Sequence, residues 1–287
     1  MSTESKAKPV IEIREMTKSF GSQRVLEGIN LQVYRGEIVV IIGGSGCGKS
    51  TLLRHMIGSL QPDEGSVKLF GKEITGMSER ELDELRKRFG ILFQSGALFN
   101  SLSVGENVAL PLREHTNLDE ATIEIMVKIK LELVGLREHA DKMPAQLSGG
   151  MKKRAGLARA IALDPEILFY DEPSAGLDPV TSAQIDQLII DLTKKLSVTS
   201  VVVTHEMDSA FSIADRMFML DKGRILKTGP RREFEALRNC ESCELQSKQE
   251  KLIRQFLRGD ASGPLTDRKV RSDYEEDLLM ISVKQEQ

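Results

Sequence analysis

One glycine-rich stretch, Gly43-Gly44-Ser45-Gly46-Cys47-Gly48-Lys49-Ser50-Thr51, limits the folds open to this chain more than any other feature. A Gly followed after four residues by Gly-Lys-Ser is the pattern of a phosphate-binding loop. Residues 38–42 before it are apolar and β-branched, which predicts a strand buried on both faces. Residues 52–60 after it carry apolar side chains at helical spacing. This order of strand, loop and helix predicts an α/β fold with a phosphate site, because glycines let backbone N–H groups converge on an anion.

Two side chains of the loop have distinct expected roles. Lys49 places a positive charge at the β- and γ-phosphates of a nucleotide, and Ser50 offers a hydroxyl to Mg²⁺. Cys47 occupies a variable position, where we expect its backbone to matter more than its thiol. A glycine-rich turn with an incidental Lys-Ser is the alternative, and the flanking strand and helix argue against it.

Length and composition allow one α/β domain with additions, or two small domains. The chain has 287 residues, of which 40% are hydrophobic and 29% are charged. A net charge of −3 gives no broad basic surface, so we expect no nucleic-acid partner. No apolar run approaches the roughly 20 residues that cross a bilayer, and the polar start does not resemble a secretory signal. We therefore expect a cytosolic chain that acts at a membrane only through an embedded partner.

Two acids close another apolar run. Residues 167–170 are typical of a buried strand, and Asp171 and Glu172 follow directly. A carboxylate at the end of a strand beside a phosphate loop can hold Mg²⁺, a role we assign to Asp171. Glu172 can face the other way, toward a water that attacks the γ-phosphate, and act as general base. Two acids at a solvated strand end are the alternative.

Gln94 and His205 also follow predicted strands. The Gln94 amide could contact Mg²⁺ or the attacking water, and the His205 imidazole could hydrogen-bond the γ-phosphate. Nucleotide sites of open α/β sheets lie at strand ends. That shared placement favours a functional role for both residues over the ordinary reading of a single polar side chain.

A second candidate anion site lies at Ser148-Gly149-Gly150, before a predicted helix. Small residues allow a close approach to a ligand, and the helix N-terminus favours an anion. Lys152, Lys153 and Arg154 fall in the first turn, where the helix dipole disfavours cations, and a docked anion would relieve that conflict. Since Lys49 already serves the first phosphate site, this one makes most sense across a dimer interface. An ordinary helix start is the alternative.

The order of strands and helices predicts a mostly parallel sheet with flanking helices. Residues 95–163 show helical periodicity and little strand character, so we expect an inserted helical subdomain there. Ser78 and Glu81 predict a capping box, and Asp178-Pro179 predicts the start of a long helix. We expect one domain over 1–246.

Residues 247–287 are predicted to form an extension that is first helical and then polar. Its apolar patch Leu278–Ile281 is predicted to dock on a partner, with disorder as the alternative. Cys240 and Cys243 have C-x-x-C spacing. A structural zinc site needs about four ligands, and no second Cys or His pair lies nearby. We interpret the spacing as chance, with a redox or metal role as the alternative.

These motifs, in this order, resemble the nucleotide-binding subunits of ABC transporters, over roughly residues 9–240. Residues 43–51 match Walker A, 167–172 Walker B, 147–151 the signature, and 174–178 the D-loop. The resemblance implies the P-loop ABC ATPase fold, with an antiparallel β part beside the parallel sheet. It also implies a homodimer that holds two ATP molecules between the Walker A of one chain and the signature of the other. The expected ATP contacts are Phe20, Gly43, Gly44, Ser45, Gly46, Cys47, Gly48, Lys49, Ser50, Thr51, Ser148, Gly149, Gly150 and Asp178; the Mg²⁺ contacts are Ser50, Gln94 and Asp171; and the catalytic residues are Glu172, His205 and Gln94.

Four local features resemble one subfamily, the Mla type for maintenance of lipid asymmetry. They are Met151, where most of the family has Gln, the stretches 93–102 and 111–116, and residues 255–259 with Gly263-Pro264. The resemblance implies phospholipid transport between bacterial membranes, at the cytoplasmic face of the inner membrane. It further implies a membrane permease bound near Gln94, a lipid-binding substrate protein and a small cytosolic accessory subunit.

Three alternatives to lipid transport stay open. The ATPase of a small-solute importer, for example for an amino acid, is the nearest. A soluble ABC ATPase of DNA repair or translation would carry a long insertion or a second cassette, which this chain lacks. A non-catalytic nucleotide-binding scaffold is disfavoured because Glu172 and His205 are both present.

Overall fold

The computed structural model describes residues 8–241, 245 and 247–266. The chain divides into two compact units, Met1–Arg231 and Arg232–Gln287. The domain boundary proposed at 246/247 stays a prediction, although the observed division lies earlier in the chain. Cys243 and the patch Leu278–Ile281 lie outside the described residues.

Strands and helices alternate along the chain as the pattern predicts. The strands are β1 (Ile11–Phe20), β2 (Gln23–Val33), β3 (Ile38–Gly43), β4 (Glu64–Leu69), β5 (Lys72–Glu73), β6 (Phe89–Leu92), β7 (Ile167–Asp171), β8 (Thr199–Thr204), β9 (Arg216–Asp221) and β10 (Arg224–Pro230). The helices are α1 (Lys49–Met56), α2 (Glu79–Arg86), α3 (Val104–His115), α4 (Glu120–Leu133), α5 (Gly149–Ala160), α6 (Pro179–Leu196), α7 (Met207–Ile213), α8 (Arg231–Asn239) and α9 (Lys248–Arg258). Among the described residues, no helix is long and apolar enough to span a membrane.

The central sheet has six strands in the order β10-β9-β3-β8-β7-β6. The pairs β9–β3, β3–β8, β8–β7 and β7–β6 are parallel, and only β10 is antiparallel to its neighbour. Every residue of β3 and β8 is buried, which explains their continuous β-branched sequences. The predicted mostly parallel sheet is confirmed. Its pairing brings the carboxyl ends of β3, β8, β7 and β6 to one edge.

A second sheet of four antiparallel strands, β2-β1-β4-β5, supplies the antiparallel part of the fold. Its inward residues join α1 and one face of the parallel sheet in a shared apolar core. In β3 and β8 that face alternates with period two, as in Val39 and Ile41 or Val201 and Val203. The phosphate loop therefore leaves a strand and enters a helix that are both anchored in the same core.

Between Gln94 and Glu166 the chain is helical, with α3, α4, α5 and two short 3-10 turns. α5 packs closely on β6, because Gly90 faces the backbone of Ala160. A Cβ at Gly90 would lie only 2.0 Å from the Ala160 carbonyl oxygen. The absent side chain lets the strand and the helix approach each other, and the segment that follows β6 is held against α5.

Two predicted helix starts are confirmed. Ser78 and Glu81 form a capping box at α2. Asp178 accepts hydrogen bonds from the backbone N–H groups of Val180 and Thr181 at α6, with Pro179 at the first helical position. The segment that follows Glu172 therefore ends at Asp178, where α6 starts.

In the second described unit, α9 starts at a capping box of Ser247 and Glu250, and the Arg254 side chain donates to the Cys240 carbonyl. Cys240 is partly exposed. The chance interpretation of the C-x-x-C spacing stays a prediction, since Cys243 is not described.

A buried polar cluster joins three elements behind the strand ends. The Ser209 hydroxyl, on α7, donates to Asp186 Oδ1 at 2.6 Å, and the Ser174 hydroxyl donates to the same oxygen at 3.4 Å. Asp186 lies on α6, and all three residues are buried. Burial raises the pKa of Asp186, while the two hydroxyl donors act in the opposite direction. The cluster ties the segment after β7 to α6 and α7.

Adding a methyl group at Gly90 is expected to destabilise the protein. The Cβ of Gly90→Ala would overlap the backbone of Ala160, so β6 or α5 must move, and overpacking costs about 1–3 kcal/mol or more. Urea unfolding measures the change. Gly105→Ala on α3 is the matched control: its Cβ would lie 3.3 Å from the nearest atom, so the free energy of unfolding should stay within about 1 kcal/mol of wild type. Equal stability of the two variants would contradict the close packing of β6 on α5.

The carboxyl group of Asp186 is expected to make stability depend on pH in a defined direction. Its pKa is raised in the folded protein, so ionisation favours the unfolded chain. This penalty is absent below the unfolded pKa of about 3.9, appears as pH rises above it, and is complete above the folded value. Asp186→Asn removes the penalty.

The free energy of unfolding of Asp186→Asn, relative to wild type, should therefore increase from pH 4 to pH 7. Urea unfolding across this range tests it, with Asp191→Asn on the same helix as the control for losing a carboxylate. A relative stability that falls with pH would contradict the raised pKa.

Candidate nucleotide site at the carboxyl edge of the parallel sheet

The phosphate loop joins β3 to α1 at the carboxyl edge of the sheet. Gly48 has a φ of 110° at the start of α1, a conformation that only glycine adopts readily. A Cβ there would lie 2.7 Å from Leu26 Cδ2. Lys49 is buried, and its ammonium donates to the Gly43 carbonyl at 2.8 Å and to the Gly44 carbonyl at 3.1 Å. The ammonium is thus held over the loop by two neutral carbonyl groups, and its positive charge remains available to a bound phosphate.

Cys47 contributes to the loop through its backbone. Its N–H donates to the Gly44 carbonyl at 3.3 Å, and its carbonyl accepts from the Gly223 N–H at 3.1 Å. Burial raises the pKa of the thiol. The thiol is therefore held neutral, and the loop is braced against the β9–β10 turn.

Ser50 and Asp171 lie close enough to share a cation. The Ser50 hydroxyl donates to Asp171 Oδ1 at 3.4 Å. Burial raises the pKa of Asp171, and the Glu172 charge acts in the same direction. A divalent cation would stabilise the ionised form. No set of three or more His, Cys, Asp or Glu residues in the described part of the chain could hold a metal by itself. The pair fits Mg²⁺ that arrives with a nucleotide, since Mg²⁺ is usually held by one or two protein ligands together with substrate phosphates.

Glu172 is held from three directions. Its N–H donates to the Val203 carbonyl of β8 at 2.9 Å, and its own carbonyl accepts from the Lys153 ammonium at 2.9 Å. Its Oε2 lies 2.9 Å from His205 Nδ1 and accepts from the backbone N–H of His205 at 3.3 Å. The Glu172 side chain is 12% exposed and that of His205 is 58% exposed. A mostly buried carboxylate therefore meets an exposed imidazole at this edge.

Gln94 follows β6 with an exposed side chain. In the β6–β7 pairing Leu92 is opposite Tyr170, so Gln94 lies at the level of the residues just after β7. Arg159 of α5 donates to the Gly96 and Ala97 carbonyls at 3.2 and 2.8 Å. The segment that carries Gln94 is thereby tied to the end of α5.

Ser148, Gly149 and Gly150 form a separate group with Asp178. Ser148 caps α5, with its hydroxyl oxygen 3.3 Å from the Met151 N–H that donates to it. A Cβ at Gly150 would lie 2.5 Å from Thr181 Cγ2, so this glycine also serves the packing of α5 on α6. The Asp178 carboxylate is engaged in capping α6 and also accepts from the Thr181 hydroxyl. Among the described residues, no hydrogen bond links this group to the phosphate loop.

Phe20 closes β1 at the hairpin to β2, and half of its surface is exposed. The Lys18 ammonium lies 5.7 Å from its ring centroid. Asp63 accepts from that ammonium and from the Ser19 N–H, both at 2.7 Å. Since Leu26 of the same hairpin contacts Gly48, the hairpin lies beside the loop. This exposed ring is available to stack on a base.

Sequence reasoning missed what Lys153 and Arg159 do. Lys153 was expected to face a docked anion at the start of α5, but it is buried and bonds the Glu172 carbonyl. Arg154 likewise donates to the Val134 carbonyl and to Gln184. Tertiary partners thus satisfy two of the three first-turn cations. No local signal could have found these partners, which lie 19 to 63 residues away.

Comparison with known proteins places this geometry in a family. The family model for ABC transporters matches residues 26–175. The chain is 42% identical to the intermembrane phospholipid transport system ATP-binding protein MlaF of Haemophilus influenzae, over 94% of this chain and 98% of that protein. The Escherichia coli protein of the same name is 43% identical over 94% and 96%. The probable ribonucleotide transport ATP-binding protein mkl of Mycobacterium leprae is 44% identical, over 89% of this chain and 70% of that protein.

Solved structures agree with the family model. A dimeric structure of the ATP-binding cassette MJ0796 in a post-hydrolysis state bound to ADP and Pi has a TM-score of 0.71 and 31% identity, over 77% of this chain and 98% of that one. Clostridium perfringens cbiO1, part of the transporter complex cbiONQ, has a TM-score of 0.75 and 32% identity, over 80% and 91%. With the phosphate loop, the strand-end acids and the parallel sheet in the same arrangement, this chain belongs to the ATP-binding subunits of ABC transporters.

Proposed function

We propose that this ABC transporter ATPase drives phospholipid movement between bacterial membranes. The observation that carries the proposal is the match to relatives named for intermembrane phospholipid transport, which spans 94% of this chain and 96–98% of those proteins. The 270 aligned residues exceed the 246 of the predicted ATPase domain, so the match reaches into the extension that follows it. The same assignment is supported by Met151, by the stretches 93–102 and 111–116, and by residues 255–259 with Gly263-Pro264.

Ribonucleotide transport is the second candidate. The mycobacterial relatives with that name are 44% identical, but the alignment spans only 68–70% of their length. Identity over the ATPase domain does not separate the two candidates, because ATP hydrolysis is common to both. Similarity in length favours the lipid assignment, and a transport phenotype distinguishes them.

We assign binding of the nucleotide phosphates to the phosphate loop, and binding of the metal to the acid at the end of β7 together with Ser50. Backbone N–H groups of residues 44–51 and the Lys49 ammonium receive the phosphate oxygens. When bound, Mg²⁺ would neutralise charge between the β- and γ-phosphates. Ser50 and Asp171 are the residues that would hold it, with the Gln94 amide as a third contact. The exposed Phe20 ring would stack on adenine.

At the attacking water we assign Glu172 as general base. Its backbone is fixed by β8 and Lys153, and its carboxylate is mostly buried, so its oxygens are oriented before a nucleotide arrives. His205 Nδ1 lies 2.9 Å from this carboxylate, so the other ring nitrogen, Nε2, is left for the γ-phosphate. Gln94 lies at the same level, just after the neighbouring strand β6, and would orient the water.

The proposed site consists of two separate groups of residues, the phosphate loop with the strand-end acids and the start of α5. We therefore propose that a second copy of the chain completes it. Ser148, Gly149 and Gly150 start α5 with N–H groups suited to an anion, but they form no hydrogen bond with the phosphate loop among the described residues. In a homodimer, the start of α5 from one chain would cover the phosphates held by Lys49 of the other. The solved cassette structures similar to this chain are dimeric, which supports the proposal of a dimer.

A groove beside Gln94 is the proposed docking place for a membrane permease. It has a volume of about 590 Å³ and lies between α2, β6, α3 and α5. Apolar residues such as Phe93 and Pro111 line it together with the charged Lys87, Glu84 and Arg159. Through the permease the subunit would lie at the cytoplasmic face of the inner membrane. A lipid-binding substrate protein and a small cytosolic accessory subunit complete the proposed set of partners.

Glu172→Gln is expected to abolish rapid hydrolysis while ATP binding survives. The substitution keeps size and hydrogen bonding but removes the basic carboxylate, and general bases contribute about 10²–10⁴ in rate. ATP should persist between the two chains, so an ATP-dependent dimer should accumulate on size-exclusion chromatography. Lys49→Ala is the comparison variant, because it should weaken nucleotide binding itself. Hydrolysis by Glu172→Gln at the wild-type rate would sink the assignment of Glu172 as base.

Deletion of the gene is expected to weaken the outer-membrane barrier. If the ATPase maintains lipid distribution, the deletion strain should become sensitive to detergent and solvent. The wild-type gene should restore resistance, and the Glu172→Gln gene, expressed at the same level, should not. Loss of uptake of a ribonucleotide or another small solute, with detergent resistance and lipid composition unchanged, would show that the lipid assignment is wrong.

A further inference from the structure

The Lys153 ammonium lies directly behind the proposed general base. Its Nζ donates to the backbone carbonyl of Glu172 at 2.9 Å. The side chain of Lys153 is buried, although it comes from a helix whose first residues face the proposed dimer interface. A lysine is seldom buried without a specific partner. Here the partner belongs to the residue on which hydrolysis depends.

The backbone of Glu172 needs such a partner. Its φ is 51°, in the left-handed region that a non-glycine residue rarely adopts. Strained conformations of this kind persist at functional sites when surrounding contacts over-determine them. β8 holds the N–H of Glu172, and Lys153 holds its carbonyl. With both ends of the residue fixed, the direction in which its Cα–Cβ bond leaves the backbone is fixed as well.

The helix that carries Lys153 is itself held firmly in place. A Cβ at Gly96 would lie 2.9 Å from the Lys152 carbonyl, and one at Gly156 would lie 2.8 Å from the Gly96 carbonyl. These close contacts, with the Arg159 hydrogen bonds, press α5 against the segment after β6. Lys153 therefore reaches Glu172 from a defined position.

The charges around Lys153 suit an ammonium. Burial lowers its pKa, and the carboxylates of Glu206, Glu172 and Asp171 act in the opposite direction. Within the part of the chain that the structure describes, the ammonium forms no hydrogen bond with these carboxylates, so their oxygens stay available to a metal, a water or His205. Its contribution to Glu172 is one of orientation through the backbone.

We propose that Lys153 is a positioning residue for hydrolysis, which holds the Glu172 backbone so that its carboxylate faces the attacking water. The inference rests on the proposed role of Glu172 as base. Lys153 acts through Glu172 and does not touch the nucleotide. Its loss should therefore lower kcat and leave KM for ATP unchanged.

Lys153→Met and Lys153→Gln test the hydrogen bond in the full-length chain. Their side chains are similar in length, but only Gln keeps an N–H donor. Misplacing a catalytic group by about 1 Å can cost about 100-fold, so we expect kcat to fall about 10- to 100-fold in Lys153→Met. Lys153→Gln and Lys153→Arg, which keep donors, should retain more activity. If neither exceeds Lys153→Met, the hydrogen bond is not what matters and the proposal is overturned.

Lys130→Met is the matched control for removing a buried ammonium. Lys130 is as buried as Lys153, each 5% exposed, but it lies on α4 and pairs with Asp164. Urea unfolding checks that both variants are folded. We expect Lys130→Met to keep the wild-type kcat. An equal loss of kcat in Lys130→Met and Lys153→Met would show a general effect of losing a buried lysine.

A double variant separates positioning from any other role. If Lys153 acts only through Glu172, adding Lys153→Met to Glu172→Gln should not slow single-turnover hydrolysis further. An additive loss would overturn the proposal. The same series identifies the source of a failure. A wild-type rate in Glu172→Gln refutes the base, whereas a slow Glu172→Gln beside a fully active Lys153→Met refutes only the role of Lys153.

Discussion

The parallel pairing of β3, β8 and β7 is the constraint on which the site depends. Parallel strands carry their carboxyl ends to the same edge, and the register places Ile42 opposite Thr204 and Asp171 opposite Val203. The hydrogen bond from Glu172 to Val203 continues this ladder one residue past β7. The phosphate loop, the acid proposed to hold the metal, the proposed base and His205 thus occupy one edge because of backbone geometry. Their side chains need no direct contact with the phosphate loop to be brought together.

Buried lysines at this edge are paired with backbone carbonyls. Lys49 donates to Gly43 and Gly44, and Lys153 donates to Glu172. An ion pair with Asp171 or the Glu172 side chain would occupy the oxygens that a metal or a water must reach. Carbonyl partners satisfy the ammonium hydrogens without neutralising the charge, so an arriving phosphate still gains a strong electrostatic partner. The Asp171 carboxylate is in the corresponding position for a cation. Burial raises its pKa, so a bound cation would stabilise its ionised form.

Local sequence patterns correctly predicted the strands and helix starts that are determined by residues close together in the chain. The β-branched run 38–42, the capping box at Ser78 and the Asp178-Pro179 helix start each contain their own explanation within a few residues. Each motif that identified the family is likewise a short stretch of sequence. The placement of Lys153 was misjudged because its first-turn position on α5 was visible and its burial was not. Asp186 and Gly90 were missed for the same reason, since their partners on α7 and at Ala160 are distant in sequence.

α5 links the Ser148 group, the backbone of Glu172 and the segment that carries Gln94. It starts at the Ser148 group, carries Lys153 about one turn later, and reaches the Gln94 segment and the groove through Arg159. At 1.5 Å per residue, the Ser148 cap and Arg159 are about 16 Å apart along the helix axis. A continuous helix moves as one body over such a length, so a displacement at the groove also displaces Lys153 relative to β7. The bond from Lys153 to the Glu172 carbonyl is the point at which that displacement would reach the proposed base. A permease in the groove and a second nucleotide at the start of α5 would therefore both act on the geometry of hydrolysis through the same helix.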